Sequence, residues 1–284
     1  MKNINEIEKA INNSIESLVE ALKNGKSERF IEYLKFCSKF HNYSMNNQLL
    51  IFQQMPSASR VAGFKTWEKE GFKINKGAKA LRVLAPQKYK YIENELGERI
   101  FFNQMTKEQK QAKHLHKEGV KYKAVPVFDM SQCTSLTGDN EKTFFYPLGD
   151  TKKEQYLNLK LKIESKNIKV TETENTNGAE GVSIGGEILI KSSLDFDNKL
   201  LTLIHELAHE MLDKGEYSDR KDTTREIREL RAESTSYIVG QYIGLDNPFS
   251  SDYLLMYKAD ETMLKEHIEK IVSTSNEIIK MINE

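Results

Sequence analysis

Apolar residues first recur at helical spacing. Ile4, Ile7, Ile11, Ile15, Leu18, Val19 and Leu22 follow one another at three- and four-residue steps between Asn3 and Lys23, which gathers them on one stripe of a helix with 3.6 residues per turn. Asn24-Gly25 ends the stripe. The same spacing predicts helices from Glu28 to Phe40 and from Ser44 to just before Pro56, where proline cannot continue a helix.

After Pro56 the texture changes to short aromatic and β-branched runs separated by glycine. These predict strands over Val61–Trp67, Phe72–Ile74, Ala80–Leu84 and Tyr89–Ile92, the last entering a turn at Leu96-Gly97. Lys107 to Lys123 reads as a charged insertion, with Ala124–Phe128 a strand leaving it. Further on, helices are expected over Glu154–Glu164, Asn198–Leu212, Thr223–Ile243 and Asp260–Ile282, and strands over Ile168–Thr173 and Glu187–Lys191. The expected fold class is therefore α+β. Two domains are expected, residues 1–133 and 151–284, joined by a polar linker over 134–150 that contains Gly138-Asp139-Asn140.

Charge sharpens this division. The net charge is zero, yet residues 1–130 hold 23 Lys and Arg against 14 Asp and Glu, whereas residues 131–284 hold 19 against 28. Such asymmetry points the N-terminal half towards a polyanion. No run of about 18 apolar residues occurs, and the N-terminus is amphipathic and acidic, so a cytoplasmic protein is expected. Cys37 and Cys133 lack metal-ligand or redox spacing and are expected as free thiols.

The chemistry concentrates in the helix over 198–212, which carries His205-Glu206-Leu207-Ala208-His209. Imidazoles four residues apart share a helix face and can hold one metal ion between them. The intervening Glu206 is too oblique to ligate easily but can reach a water in the site, as a general base must. Two buried histidines and a glutamate among Leu203, Ile204, Leu207 and Met211 would be costly without such a partner. A catalytic zinc needs a third protein ligand. Glu229-Leu230-Arg231-Ala232-Glu233, beginning twenty residues after His209, offers Glu229 or Glu233.

This pair of motifs resembles gluzincins, in particular the metallopeptidase domain shared by ImmA/IrrE-type and ArdC-type proteins. The resemblance implies Glu229 as the third Zn2+ ligand and Glu233 as the carboxylate that orients a histidine. Glu210 and Glu226 are expected to be solvated. Tyr217, Arg231 and Tyr237 are candidates for stabilising an oxyanion. The segment Val182–Ile190 is expected either as an edge strand on which an extended peptide could add, or as a structural hairpin.

Residues 60–90 contain nine Lys and Arg against Glu68 and Glu70, interleaved with Phe64, Trp67, Phe72 and Tyr89. Basic side chains track phosphates and aromatic faces stack bases, so a single-strand-binding surface is expected there, although Trp67 reads as core. The wording of Tyr43-Ser44-Met45-Asn46-Asn47-Gln48, Ala62 to Trp67, Gly71 to Ile74 and Val127 to Gln132 resembles the N-terminal single-stranded-DNA-binding domain of ArdC-type antirestriction proteins. On that resemblance Tyr43, Asn46, Asn47, Lys65, Lys73, Lys76 and Lys79 are the expected DNA contacts. The Lys-rich stretch 104–119, with His114 and His116, has no counterpart in the resemblance and reads as a solvated loop.

Together these features imply a zinc metallopeptidase joined to a single-stranded-DNA-binding domain, serving antirestriction or the establishment of a mobile element. Its partners would be single-stranded DNA and a protein or peptide substrate. Two other readings stand beside it: a non-proteolytic DNA-binding shield with a structural or vestigial zinc site, and an ImmA-like peptidase that cleaves a repressor.

Overall fold

In a computed structural model the described residues are 4–24, 28–136, 151–214, 223–245, 247 and 261–284. The first apolar stripe forms α1 (Ile4–Lys23), followed by α2 (Glu28–Lys39) and α3 (Met45–Gln54). Next come β1 (Val61–Ala62), the short helix α4 (Phe64–Lys69), β2 (Phe72–Ile74), β3 (Leu81–Glu93) and β4 (Arg99–Phe101). Helix α5 (Lys107–Gln111), β5 (Lys117–Asp129) and β6 (Cys133–Ser135) complete this half. The second half holds α6 (Lys152–Ser165), β7 (Lys169–Thr173), β8 (Gly181–Ser183), β9 (Glu187–Lys191), α7 (Phe196–His209), α8 (Arg225–Tyr242) and a last helix, Glu261–Asn283.

The mixed α+β expectation holds, with three local corrections. The run expected as a strand from Val61 to Trp67 stops after Ala62, because Gly63 caps α4 and turns Trp67 inward. Trp67 is fully buried, and its Nε1 donates to the Phe128 carbonyl at 2.9 Å. The strands expected on either side of Pro86 are one strand of 13 residues, β3, which pairs with β5 from Leu81↔Val127 to Tyr91↔Lys117. Pro86 is accommodated because β4 pairs only with Tyr91–Glu93, so at Pro86 strand β3 has a partner on one side alone. Part of the expected insertion therefore belongs to β5, and His116 is tied down by the Gln109 carbonyl at 2.9 Å from Nε2.

The sheets respect the halves of the chain. Strands run in the order β1-β5-β3-β4 with a separate β2-β6 pair before residue 136, and β7-β9-β8 after residue 168. Thr134 and Ser135, placed in the expected linker, pair with Lys73 and Phe72; linker residues 137–150 lie outside the described residues. The helices ignore the division. Residues of α1, α2 and α3 share one continuous apolar core with α7, α8 and the last helix, and His41 meets Tyr242 edge to face at 4.7 Å. Among the described residues no helix is long and apolar enough to cross a membrane.

Of the residues expected to touch DNA, Asn47 and Tyr43 also bond to backbone groups within the fold. The Asn47 amide donates to the Leu84 carbonyl at 2.9 Å and accepts from the Leu84 N–H at 2.7 Å, strapping α3 to β3. The Tyr43 hydroxyl donates to the Val61 carbonyl at 3.1 Å. Asn46 lines a crevice against Lys265, Glu269 and Asn276 of the last helix. A polar side chain satisfying backbone groups looks, in sequence, like one offered to a ligand. Lys65, Lys73, Lys76 and Lys79 remain exposed on α4, β2 and the turn after β2.

The strap gives a test. Asn47→Ala orphans both backbone groups of Leu84 and should lower stability by about 1–3 kcal/mol in a denaturant melt, whereas Lys76→Ala at the exposed turn should leave it unchanged.

Candidate metal centre

Helix α7 begins with an Asp195 cap, whose Oδ1 accepts from the Asn198 N–H at 2.9 Å. Its apolar stripe, Leu200, Leu203, Ile204 and Leu207, is buried. A 2.5 Å ion pair from Lys199 to Glu172 ties the helix to β7. Helix α8 packs against α7 and starts at a Thr224 cap, its Oγ1 accepting from Ile227 at 3.4 Å. The two motifs thereby face each other across one helix interface.

The expected donors converge there. His205 and His209 bring their Nε2 atoms to 3.2 Å, with ring centroids 4.9 Å apart. One Glu229 oxygen, Oε2, lies 3.7 Å from the first and 3.6 Å from the second. Each ring's other nitrogen faces its own carboxylate: His205 Nδ1 meets Glu233 at 3.4 Å, and His209 Nδ1 meets Asp213 at 2.7 Å. Carboxylates at Nδ1 hold the ring proton on that side and leave both Nε2 lone pairs pointing inward, beside a carboxylate oxygen. Two imidazole nitrogens and a carboxylate oxygen within 4.8 Å of one another could hold a metal ion.

Burial alone would lower His205, but the carboxylates of Glu229 and then Glu233 beside it outweigh burial and carry the imidazole up to about 10. His209 is likewise raised by Asp213 and Glu229 against burial. The two imidazoles beside it hold the Glu229 carboxyl far below the usual range. Glu206 moves the other way, since burial raises it and the two imidazoles oppose the shift only in part.

Glu206 looks into a cleft formed by two cavities of about 440 Å³ each, which share Ala179, Gly181, His205 and Glu206. One wall is β8, antiparallel to β9 and, among the described residues, unpaired on its outer edge. The edge strand and the hairpin, expected as alternatives, are the same element. Gly181 allows the close approach: a Cβ there would stand 2.5 Å from Thr202 Cγ2 and 2.8 Å from Glu206 Cγ.

Two acids that sequence reasoning passed over complete the site. Glu210, expected to be solvated, is buried; it accepts from the Ser183 hydroxyl at 2.6 Å and from the Gly185 and Gly186 N–H groups at 2.8 Å. It thus clamps the β8–β9 turn to the metal helix, a role for which the sequence carries no local signal. Asp213 sits on a π-type turn, Glu210–Lys214, that extends α7. Its signal was available as the four-residue step after His209. Of the oxyanion candidates, Arg231 is fully buried and donates to His267 Nδ1 at 2.6 Å and 3.0 Å. Tyr237 is buried in the core, so neither faces the cleft. Tyr217 lies outside the described residues.

Comparisons with known proteins agree with the N-terminal half and with the fold. Residues 1–133 match the family described as the N-terminal domain of anti-restriction factor ArdC. An uncharacterized protein of Bacillus anthracis is 29% identical over 86% of this chain, which spans 44% of that relative's length. The metal-free crystal structure of the antirestriction ArdC protein from plasmid R388 superposes with a TM-score of 0.56 over 96% of both chains at 15% identity. The Mn(II)-bound structure of the same protein gives 0.53 over 96% of both chains at 14% identity. At such identities the likeness is one of fold.

Two outcomes test the centre. Asp213→Asn should weaken metal binding about 10–100-fold while the chain stays folded, read by chelator competition; unchanged affinity would remove Asp213 from the site. Because neighbouring carboxylates raise both imidazoles, an ion would compete with protons for them, and apparent affinity should climb as pH rises from about 6 to 8. A flat profile over that range would mean that the histidines are not ligands.

Proposed function

We propose that the chain is an ArdC-like antirestriction protein in which the basic N-terminal half engages single-stranded DNA and a gluzincin-type, ImmA/IrrE-like centre cleaves a DNA-associated protein. The observation that carries the reading is the convergence of His205, His209 and Glu229 beside Glu206, in a cleft walled by a strand whose outer edge is unpaired among the described residues. The donor set of two imidazoles and one carboxylate suits Zn2+. The relative solved with Mn(II) supports a divalent ion more broadly.

A bound ion of this kind supplies Lewis-acid chemistry, polarising a peptide carbonyl and acidifying water. His205, His209 and Glu229 would hold it, with Glu233 and Asp213 keeping the rings aimed. Glu206, made more basic by burial, accepts the proton from the attacking water and delivers it to the departing amine nitrogen. The free edge of β8 offers backbone N–H and C=O groups that align an extended peptide across the cleft. The amino-terminal lysines on α4, β2 and the following turn supply charge for a phosphate backbone.

Two substitutions separate the parts of this reading. Glu206→Gln should keep the fold and one equivalent of zinc while lowering peptidase activity about 10²–10⁴-fold, assayed on DNA-bound proteins with and without single strands. Antirestriction that survives the change intact would favour the shield. Joint replacement of Lys73, Lys76 and Lys79 by Glu should weaken single-strand binding broadly across sequences, as an electromobility titration would read.

A further inference from the structure

The β3–β5 ribbon carries a second cleft, of about 970 Å³, away from the candidate metal centre. Lys88, Tyr89, Lys90, Phe101, Phe102 and Lys121 are among its walls. It exists because β4 is short. Once β4 ends at Phe101, the edge of β3 just before Lys90 has no strand partner among the described residues, and the chain leaves over it, with the Phe102 N–H donating to the Lys90 carbonyl at 3.1 Å. The pairing register places Phe101 on the sheet face of Tyr89 and Tyr91, and Phe102 on the opposite face, that of Lys88 and Lys90. The cleft therefore wraps the open edge.

Its walls combine ring faces with cations. Tyr89 lies 5.5 Å from Phe101 and 5.9 Å from Tyr91 between centroids. Gly119 makes room for Tyr89, since a Cβ there would stand 2.5 Å from Tyr89 Cζ. Lys121 lies 5.9 Å over the Tyr89 ring and Lys110 5.6 Å over that of Phe102. Phe101 and Phe102 are nonetheless 42% and 47% exposed. Two adjacent phenylalanines left in water at the mouth of a cleft mark an interaction site. The wall carries three lysines against one acid, Glu118, so the occupant should present π-faces together with negative charge.

We propose that this cleft takes up bases of single-stranded DNA, which stack on Phe101 and Phe102 while Lys88, Lys90 and Lys121 hold the adjoining phosphates. The inference rests on the reading of the N-terminal half as single-strand-binding and gives that half a stacking site away from α4 and β2. Stacking tolerates any base, because every base has a π-face. Strand preference should accordingly be weak and salt dependence strong.

Anisotropy of a fluorescein-labelled oligothymidylate, titrated with the full chain, tests the assignment. Joint Phe101→Leu and Phe102→Leu substitution keeps apolar volume and removes the rings; it should weaken binding roughly tenfold or more, the loss of at least one base–aromatic stack. Phe101→Tyr with Phe102→Tyr should restore it. Lys88→Ala with Lys90→Ala should reduce the slope of log K against log salt by about 1.4, for two phosphate contacts to a single strand. Leucine variants that bind like the wild type would overturn the stacking site while leaving the single-strand reading in place. A wild-type chain with no salt-sensitive binding would overturn the reading, and the inference with it. Loss of binding in the tyrosine pair as well as the leucine pair would count against stacking and for docking of a protein surface.

Discussion

Two imidazoles one helical turn apart can face each other inside a protein only if something decides where their protons go. Asp213 and Glu233 decide it, each claiming one Nδ1. Everything else at the centre follows from that allocation. The Nε2 lone pairs turn inward, Glu229 completes a set of donors, and α8 must lie close against α7, because Glu229 and Glu233 sit on it one turn apart. The apolar stripe of α7 and the buried segment of α8 supply the stability that lets polar groups of this kind be gathered in a confined space.

That helix pair is also where the halves of the chain meet. Helix α8 contributes Leu230, Ile238 and Val239 to the core that α1, α2 and α3 share. The element that presents Glu229 is thus supported on its other side by the N-terminal half. Fixed secondary structure serves the centre better than a loop, since ligands on packed helices hold their geometry without relying on the ion.

The legible part of this molecule was whatever obeys a local period. His205 and His209 announce themselves by a four-residue step, Glu229 and Glu233 by another, and α1 and the last helix by their apolar stripes. What escaped reading depends on contacts between distant residues. Nothing adjacent to Glu210 reveals the glycine turn 24 residues earlier that it receives. Asn47 and Tyr43, expected at the DNA surface, also satisfy backbone groups 37 and 18 residues away, which no local period marks. The aromatic texture that predicted a strand through Trp67 reflected burial, which a short helix achieves equally well.

The Glu210 clamp has a geometric consequence for anything laid against the cleft. Glu210 grips the β8–β9 turn and directly follows His209 in the chain, so the free strand edge and the metal donors keep a fixed longitudinal offset. Alternate residues of an extended chain point to opposite faces, and a slip of one position exchanges them all. A strand paired with β8 would therefore present one particular peptide unit to Glu206. On the proposed reading, selection at this site would act on which bond stands in frame, much as a ruler fixed to a blade decides where a ribbon is cut.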